Sequence, residues 1–262
     1  MTKAEAVATG RKMEVKSSTR PAVEVRLLED LADFVAAVDV TAQVWGRDGG
    51  NLLPAELLRA YAYAGDPVIG GFLPDSGEMI GICIGFLASA WPDDLHLHSH
   101  MTGVTPGIQH RGVGVALKSL QRQWCLERGI ADIRWTVDPM LAPNAWFNVV
   151  KLGATAHTFL PQFYGEMSDE LNRGELTDRL EMNWRVGSER VEAALAGQAP
   201  NGRVIERVVD IPADYRALRQ DDPKLANKLR LQVRDELSSA FEAGLEINGF
   251  SRERGYLLSP RG

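Results

Sequence analysis

The stretch that most constrains this chain runs from Thr102 to Arg128, where a strand hands over to a helix across Gln109-His110-Arg111-Gly112-Val113-Gly114. An alternating apolar segment enters it from Leu95. Beyond it, Val113, Leu117, Leu120 and Trp124 recur at helical spacing until Arg128-Gly129 supplies a cationic last turn and a stop. Two glycines at such a junction let the backbone turn sharply and uncover the first N–H groups of the helix, which have no intrahelical partner. Those donors and the positive end of the helix dipole make an anion site suited to a phosphate or pyrophosphate.

Two phosphate-binding signatures fail here on spacing. A dinucleotide fingerprint, GxGxxG, requires a third glycine where Leu117 stands. A P-loop, GxxxxGK[ST], is matched by Gly112 and by Lys118-Ser119, but Leu117 again occupies the place of its second glycine.

Charge narrows the reading further. A formal net charge of −6 over 262 residues argues against a general nucleic-acid binder, whose affinity comes from Lys and Arg neutralising phosphates. It leaves room for a local basic patch. Cys83 and Cys125 are too few for a disulfide framework or a thiolate zinc site, and both sit in apolar patterns expected to be buried. No apolar run reaches the ~18 residues of a membrane span, and the start lacks a secretory core, which points to a soluble, cytoplasmic protein with no membrane partner.

Along the chain, residues 1–22 are small and polar and read as a disordered tail. Strands are expected at 23–28, 68–73, 79–90, 95–104, 132–137, 154–164 and 179–186. Pro74-Asp75-Ser76-Gly77 turns the second of these into the third. Helices are expected from Leu31 to Trp45, from Pro54 to Tyr63, from Val113 to Arg128, and from Pro143 to Lys151 before Gly153. The order β-α-α-β-β-β-α-β-α-β-β predicts an α/β fold, a mixed twisted sheet with helices on both faces. After Gly187 the sequence predicts a short helix over 188–196, a linker over 197–202, strands over 204–209 and 247–258, and a long helix over 223–241. That helix has Leu225, Leu229, Val233 and Leu237 on one stripe and Arg230 and Arg234 on another. Residues 188–262 are short for a free domain and read as a C-terminal α/β extension packed on the domain of 23–187.

The pattern Q/R-x-x-G-x-G/A, matched by Gln109, Gly112 and Gly114, resembles the acyl-CoA-binding segment of the GNAT superfamily of N-acyltransferases. The element order resembles that family too, as does Asn144-Ala145-Trp146-Phe147 to Lys151-Leu152-Gly153, which is similar to its asparagine helix. The resemblance covers about Val23 to Gly187. Within the family, Ser99-His100, Trp135-Thr136-Val137-Asp138-Pro139 and Thr177-Asp178-Arg179 resemble a predicted-acetyltransferase subgroup of unknown substrate. The resemblance implies acetyl-CoA or another short acyl-CoA as co-substrate. It implies cofactor contacts from Thr102, Gly103, Val104, Gln109, Arg111, Gly112, Val113, Gly114 and Asn144, with no metal. It also implies transfer of the acyl group to a small-molecule amine; a homodimer is compatible with it. One departure matters: many members carry a tyrosine on the asparagine helix to protonate the leaving thiolate, where this helix offers only Val149 and Val150.

Three of the five histidines stand in Leu95-His96-Leu97-His98-Ser99-His100. Neighbours two apart on a strand are separated by ~7 Å, so the three cannot chelate one ion, whose zinc–nitrogen bonds are ~2 Å. His100, closest to the glycine junction, is the candidate general base; a structural role by hydrogen bonding is the competing reading. Tyr164 is the candidate acid for the thiolate, against a plain rim tyrosine. The polar loop Asn172-Arg173-Gly174-Glu175-Leu176-Thr177-Asp178 offers Asn172, Arg173 and Asp178 as substrate contacts, against a solvated loop with a surface Asp–Arg pair. Arg111 and Lys118 could meet cofactor phosphates by charge, against ordinary exposed cations, and Lys118 is left out of the site residues. Beside the enzyme stand two other classes: a non-catalytic acyl-CoA sensor or structural relative of the same fold, and a P-loop-like nucleotide binder.

Overall fold

The computed structural model describes residues 13–15, 23–46, 53–90, 94–108, 112–165, 176–198 and 203–262. The chain forms two compact units, Met1–Ala88 with Ser99–Arg128, and Ser89–His98 with Gly129–Gly262.

In the first unit, strands β1 (Met13–Val15), β2 (Val23–Leu27), β3 (Val68–Phe72) and β4 (Met79–Ala90) pair antiparallel in that order. β1 departs from the expectation of a tail: Met13–Val15 lie in register with Val23–Val25 of β2, an edge pairing that three residues cannot announce by periodicity. Helices α1 (Leu31–Trp45) and α2 (Ala55–Ala64) cover one face, where Phe34, Ala37, Val40 and Leu58 meet Val68, Ile82 and Ile84. Helix α3 (Val113–Leu126) covers the other, its Val113, Ala116, Leu117 and Leu120 packed against Val25, Ile69, Ile80 and Cys83. β3 is buried at all five positions, as a strand covered on both faces must be. The expected turn at 74–77 is present, with Gly77 N donating to Leu73 O.

In the second unit, β5 (Asp94–Val104) enters parallel to β6 (Asp132–Val137) at Leu97↔Ile133 and His98↔Arg134, then continues into the first unit. From β6 the order runs through β8 (Arg179–Arg185), β7 (Thr155–Leu160), β10 (Leu245–Ser251), β11 (Gly255–Pro260) and β9 (Arg207–Val209), all antiparallel. The extension therefore lengthens the sheet edge to edge through Ile247↔Ala156. The single strand expected over 247–258 is a hairpin, because Arg252-Glu253-Arg254 turn the chain back. The strand expected over 204–209 is confined to Arg207–Val209, and the short helix α6 (Tyr215–Asp221) was not foreseen.

Helix α5 (Glu189–Leu195) is capped by Ser188, and α7 (Pro223–Glu242) by Asp222, whose Oδ1 accepts from Leu225 N. Of the stripe read for α7, Val233 and Leu237 are buried, together with Ala226, Arg230, Ala240 and Phe241, whereas Leu229 is half-buried and Leu225 is exposed. The helix expected from Pro143 begins as α4 (Ala142–Ala145) and widens into a π-helical turn over Trp146–Lys151. Trp184, fully buried, donates its Nε1–H to Leu152 O at 2.6 Å just beyond that turn.

Candidate functional site

In the first unit the glycine junction folds as its residue types require. Gly112 has φ 88° and ψ −4°, the left-handed region that glycine enters without steric cost. It caps α3, whose ladder begins with Ala116 N donating to Gly112 O at 3.0 Å. The N–H groups of Val113, Gly114 and Val115 thus precede the helical ladder, and they fit an anionic group such as a pyrophosphate. The side chains of Val113 and Leu117 anchor this helix end in the core, so the amides are held on a rigid element. Gln109, His110 and Arg111 lie outside the described residues.

Thr102, Gly103 and Val104 lie on the last turns of strand before the junction. Thr102 Oγ1 donates to Cys83 Sγ at 3.3 Å. A Cβ on Gly103 would sit 2.6 Å from the indole of Trp45, so the close approach of α1 is reason enough for glycine there. Cys125, the second thiol, is buried and its pKa is pushed up to about 12 by that burial, which makes it inert as a nucleophile.

Two of the three strand histidines, His96 and His100, have different surroundings. His96 Nδ1 lies 3.1 Å from Asp94 O, beside an Asp94 carboxylate bound twice by Arg134 at 2.7 and 2.5 Å. The hydrogen bond from Arg134 holds the Asp94 carboxyl below its ordinary range. His100 belongs to the first unit; its ring lies 5.8 Å from that of Phe86, and desolvation lowers its pKa below the ordinary imidazole value. That shift favours the neutral, proton-accepting form of the imidazole. Among the described residues no group of three or more His, Cys, Asp and Glu could hold a metal ion. No helix among them is long and apolar enough to cross a membrane.

Lys118, read in the sequence as a phosphate contact or an exposed cation and left out of the site residues, is neither exposed nor at the helix surface but buried. It is 3% exposed and donates to Ser99 Oγ at 2.9 Å and Gln121 Oε1 at 2.8 Å. Burial lowers its pKa from 10.5 to about 8. Below about pH 8 the folded protein carries a desolvated ammonium. Between about 8 and 10.5 the native lysine is neutral while the unfolded one still binds a proton, so stability rises with pH across that window. Lys118→Met is accordingly expected to be the more stable protein near neutral pH. Urea midpoints should show its advantage, on the order of 2 kcal/mol, shrinking as pH climbs from about 8 towards 10. An advantage independent of pH would mean that packing, and not the buried charge, is responsible.

In the second unit, Asn144 is exposed on α4, while Val149 is buried in the π-helical turn. Tyr164 does not end a strand: β7 stops at Leu160 and Tyr164 lies in the turn that follows, where Gln162 adopts φ 48°. Its hydroxyl meets Thr136 Oγ1 at 2.9 Å, its ring packs edge-on against Phe163, and the Arg179 guanidinium lies 5.3 Å above it. Asn172 and Arg173 lie outside the described residues.

Asp178 is the clearest correction. It is not on a solvated rim: it is fully buried, and its carboxylate accepts from Arg234 Nε at 3.1 Å, Arg234 Nη2 at 2.8 Å and Gln162 N at 3.1 Å. Four residues earlier on α7, Arg230 binds Asp138 in the same forked manner, at 3.2 and 2.9 Å. Asp178 thus anchors the C-terminal helix and is not presented to a substrate. The spacing of Arg230 and Arg234 was the visible signal for these anchors; what it lacked was the identity of the carboxylates, which are 92 and 56 residues away.

A scan against family models returns no match, and neither does a search of curated proteins. Among solved structures the chain is similar to an Acinetobacter baylyi protein assigned as an acetyltransferase, at 13% identity over 66% of this chain and 97% of that one, with a TM-score of 0.52. A GNAT-family acetyltransferase of Streptococcus pneumoniae is 15% identical over 62% of this chain and 98% of its own, at a TM-score of 0.49. YncA of Salmonella typhimurium, solved with acetyl-CoA, is 17% identical over 64% and 95%, also at 0.49. The likeness at these identities is one of fold.

Proposed function

We propose, from a chain that has the GNAT acetyltransferase fold, that this protein is an acyl-CoA-dependent N-acyltransferase acting on an amine of a small molecule. The observation that carries the reading is the left-handed Gly112 opening α3, with the amides of Val113, Gly114 and Val115 ahead of the helical ladder. In this reading those amides hold the coenzyme A pyrophosphate, acetyl-CoA or another short acyl-CoA being the co-substrate.

His100 takes the proton from the substrate ammonium, and the freed amine attacks the thioester carbonyl carbon. Backbone N–H groups around Gly103 and Val104 are the candidate donors for the tetrahedral oxyanion. Collapse breaks the carbon–sulfur bond, gives the amide and releases the coenzyme A thiolate. Val149 and Val150 stand where many members of the family carry the tyrosine that returns a proton to that sulfur.

Gly112→Val is the test of the cofactor assignment. A β-branched residue at φ 88° is strained, and its side chain would hold the pyrophosphate off the amides, so calorimetry should read coenzyme A affinity weakened by about tenfold or more in a folded variant. Unchanged affinity would remove the assignment. The buried Val149 where a proton donor is expected favours a second reading, a non-catalytic acyl-CoA sensor. Thiol release across an amine panel separates the two, because a sensor binds coenzyme A and releases none.

A further inference from the structure

The outer face of α7 carries its charges in the order that a helix dipole disfavours. At about 3.6 residues per turn, Lys224, Lys228, Leu231, Asp235 and Glu242 fall on one stripe, opposite the buried Val233, Leu237 and Ala240. All five are exposed, and a shallow open depression lies on the stripe around Leu231. The N-terminal half of the stripe is positive and the C-terminal half negative, whereas the dipole favours acids at the start of a helix and cations at its end. Apart from the capping Asp222, the first turn of α7 has no acidic residue and its last turn no basic one. The chain does not compensate this order either. Among the described residues, Lys224, Lys228, Asp235 and Glu242 form no ion pair and no side-chain hydrogen bond.

We propose that this stripe is the interface between two copies of the chain, packed antiparallel along α7. Lys228 then meets the partner's Asp235, Lys224 meets the partner's Glu242, and Leu231 packs against the partner's Leu231 at the centre. Two-fold symmetry repeats each ion pair, so every pair is made twice. The midpoints of the two pairs lie ~2 Å apart along the helix axis, within the reach of a lysine side chain, so one two-fold axis serves both. The 20 residues of α7 give about 30 Å of helix, and two helices crossing at about 20° stay in contact over such a length. The partner also brings acids to the start and cations to the end of each α7, the order that its own residues lack. A nucleic acid or an acidic peptide would match one half of the stripe and be repelled by the other. A second copy matches both.

Sedimentation equilibrium on the full chain is the test, for the wild type, Lys228→Glu, Asp235→Lys and the variant carrying both. The wild type is expected to dimerise, with a dissociation constant about tenfold higher at ~500 mM than at ~50 mM salt, because its ion pairs are exposed and screened. Each single variant sets like charges against each other on both sides of the two-fold axis and should weaken association by about tenfold or more. The double variant restores opposite charges and should return to within about threefold of the wild type. Both positions are exposed, so circular dichroism melts of the variants should match the wild type; if one single variant melts early, the other decides with the double. A wild type that stays monomeric at ~100 µM in low salt would overturn the proposal. So would single variants that dimerise as the wild type does, or a double variant no better than the singles.

Discussion

Asp138→Ala is expected to destabilise this protein by ~3–5 kcal/mol, because it leaves a guanidinium in the interior without its counter-charge. Arg230 is 1% exposed and reaches the carboxylate with both terminal nitrogens, at 3.2 and 2.9 Å, while its Nε donates to Tyr215 Oη at 3.1 Å. Burial pulls the Arg230 pKa down, and Asp138 with Tyr215 more than restores it, so the group stays charged throughout the accessible pH range. Asp138 also accepts from Met140 N at 2.8 Å, and Tyr256 Oη donates to Pro139 O at 2.8 Å, so one short segment holds both α7 and β11.

The denaturant midpoint of Asp138→Ala reads the loss. Asp138→Leu combined with Arg230→Met should recover much of it, since a buried pair replaced by apolar groups of similar size is often neutral, whereas half a pair is not. A loss below ~1 kcal/mol in the single variant would show that the guanidinium escapes to water.

His100→Gln is expected to lower kcat/KM by ~10²–10⁴, the range for a lost general base. The pH profile carries the more specific signature. Desolvation beside Phe86 lowers the pKa of His100, so the base is neutral and competent above that lowered value and is protonated below it. The wild-type rate should therefore fall on the acid side at a pH below the ordinary ~6.5 of imidazole, and the variant should lose that inflection. His96→Gln should retain it, since His96 is held at Asp94. A His100→Gln enzyme within a few-fold of wild type, with the same profile, would assign deprotonation to water or another group.

Much of the first unit follows from local pattern. The 3.6-residue recurrence of Val113, Leu117, Leu120 and Trp124 determines α3 and the face it buries, and Gly112 determines the left-handed turn that opens its amides. Two apolar runs joined by a Pro-Asp-Ser-Gly turn determine the hairpin of β3 and β4, because the turn residues fit the reversal. What the sequence alone could not determine is where charges go when their partners are remote. Asp178 and Lys118 look like ordinary surface groups in a polar loop and on a helix. Burial of each depends on a second group, Arg234 in one case and Ser99 in the other, brought there by tertiary packing. The same holds for Tyr61, Phe86 and His100, which no sequence window contains together and which only the packing of α2, β4 and β5 places in a row. Local residue types select the backbone through sterics and periodicity, whereas ionic and aromatic partners are selected by distance in space, which chain separation does not encode.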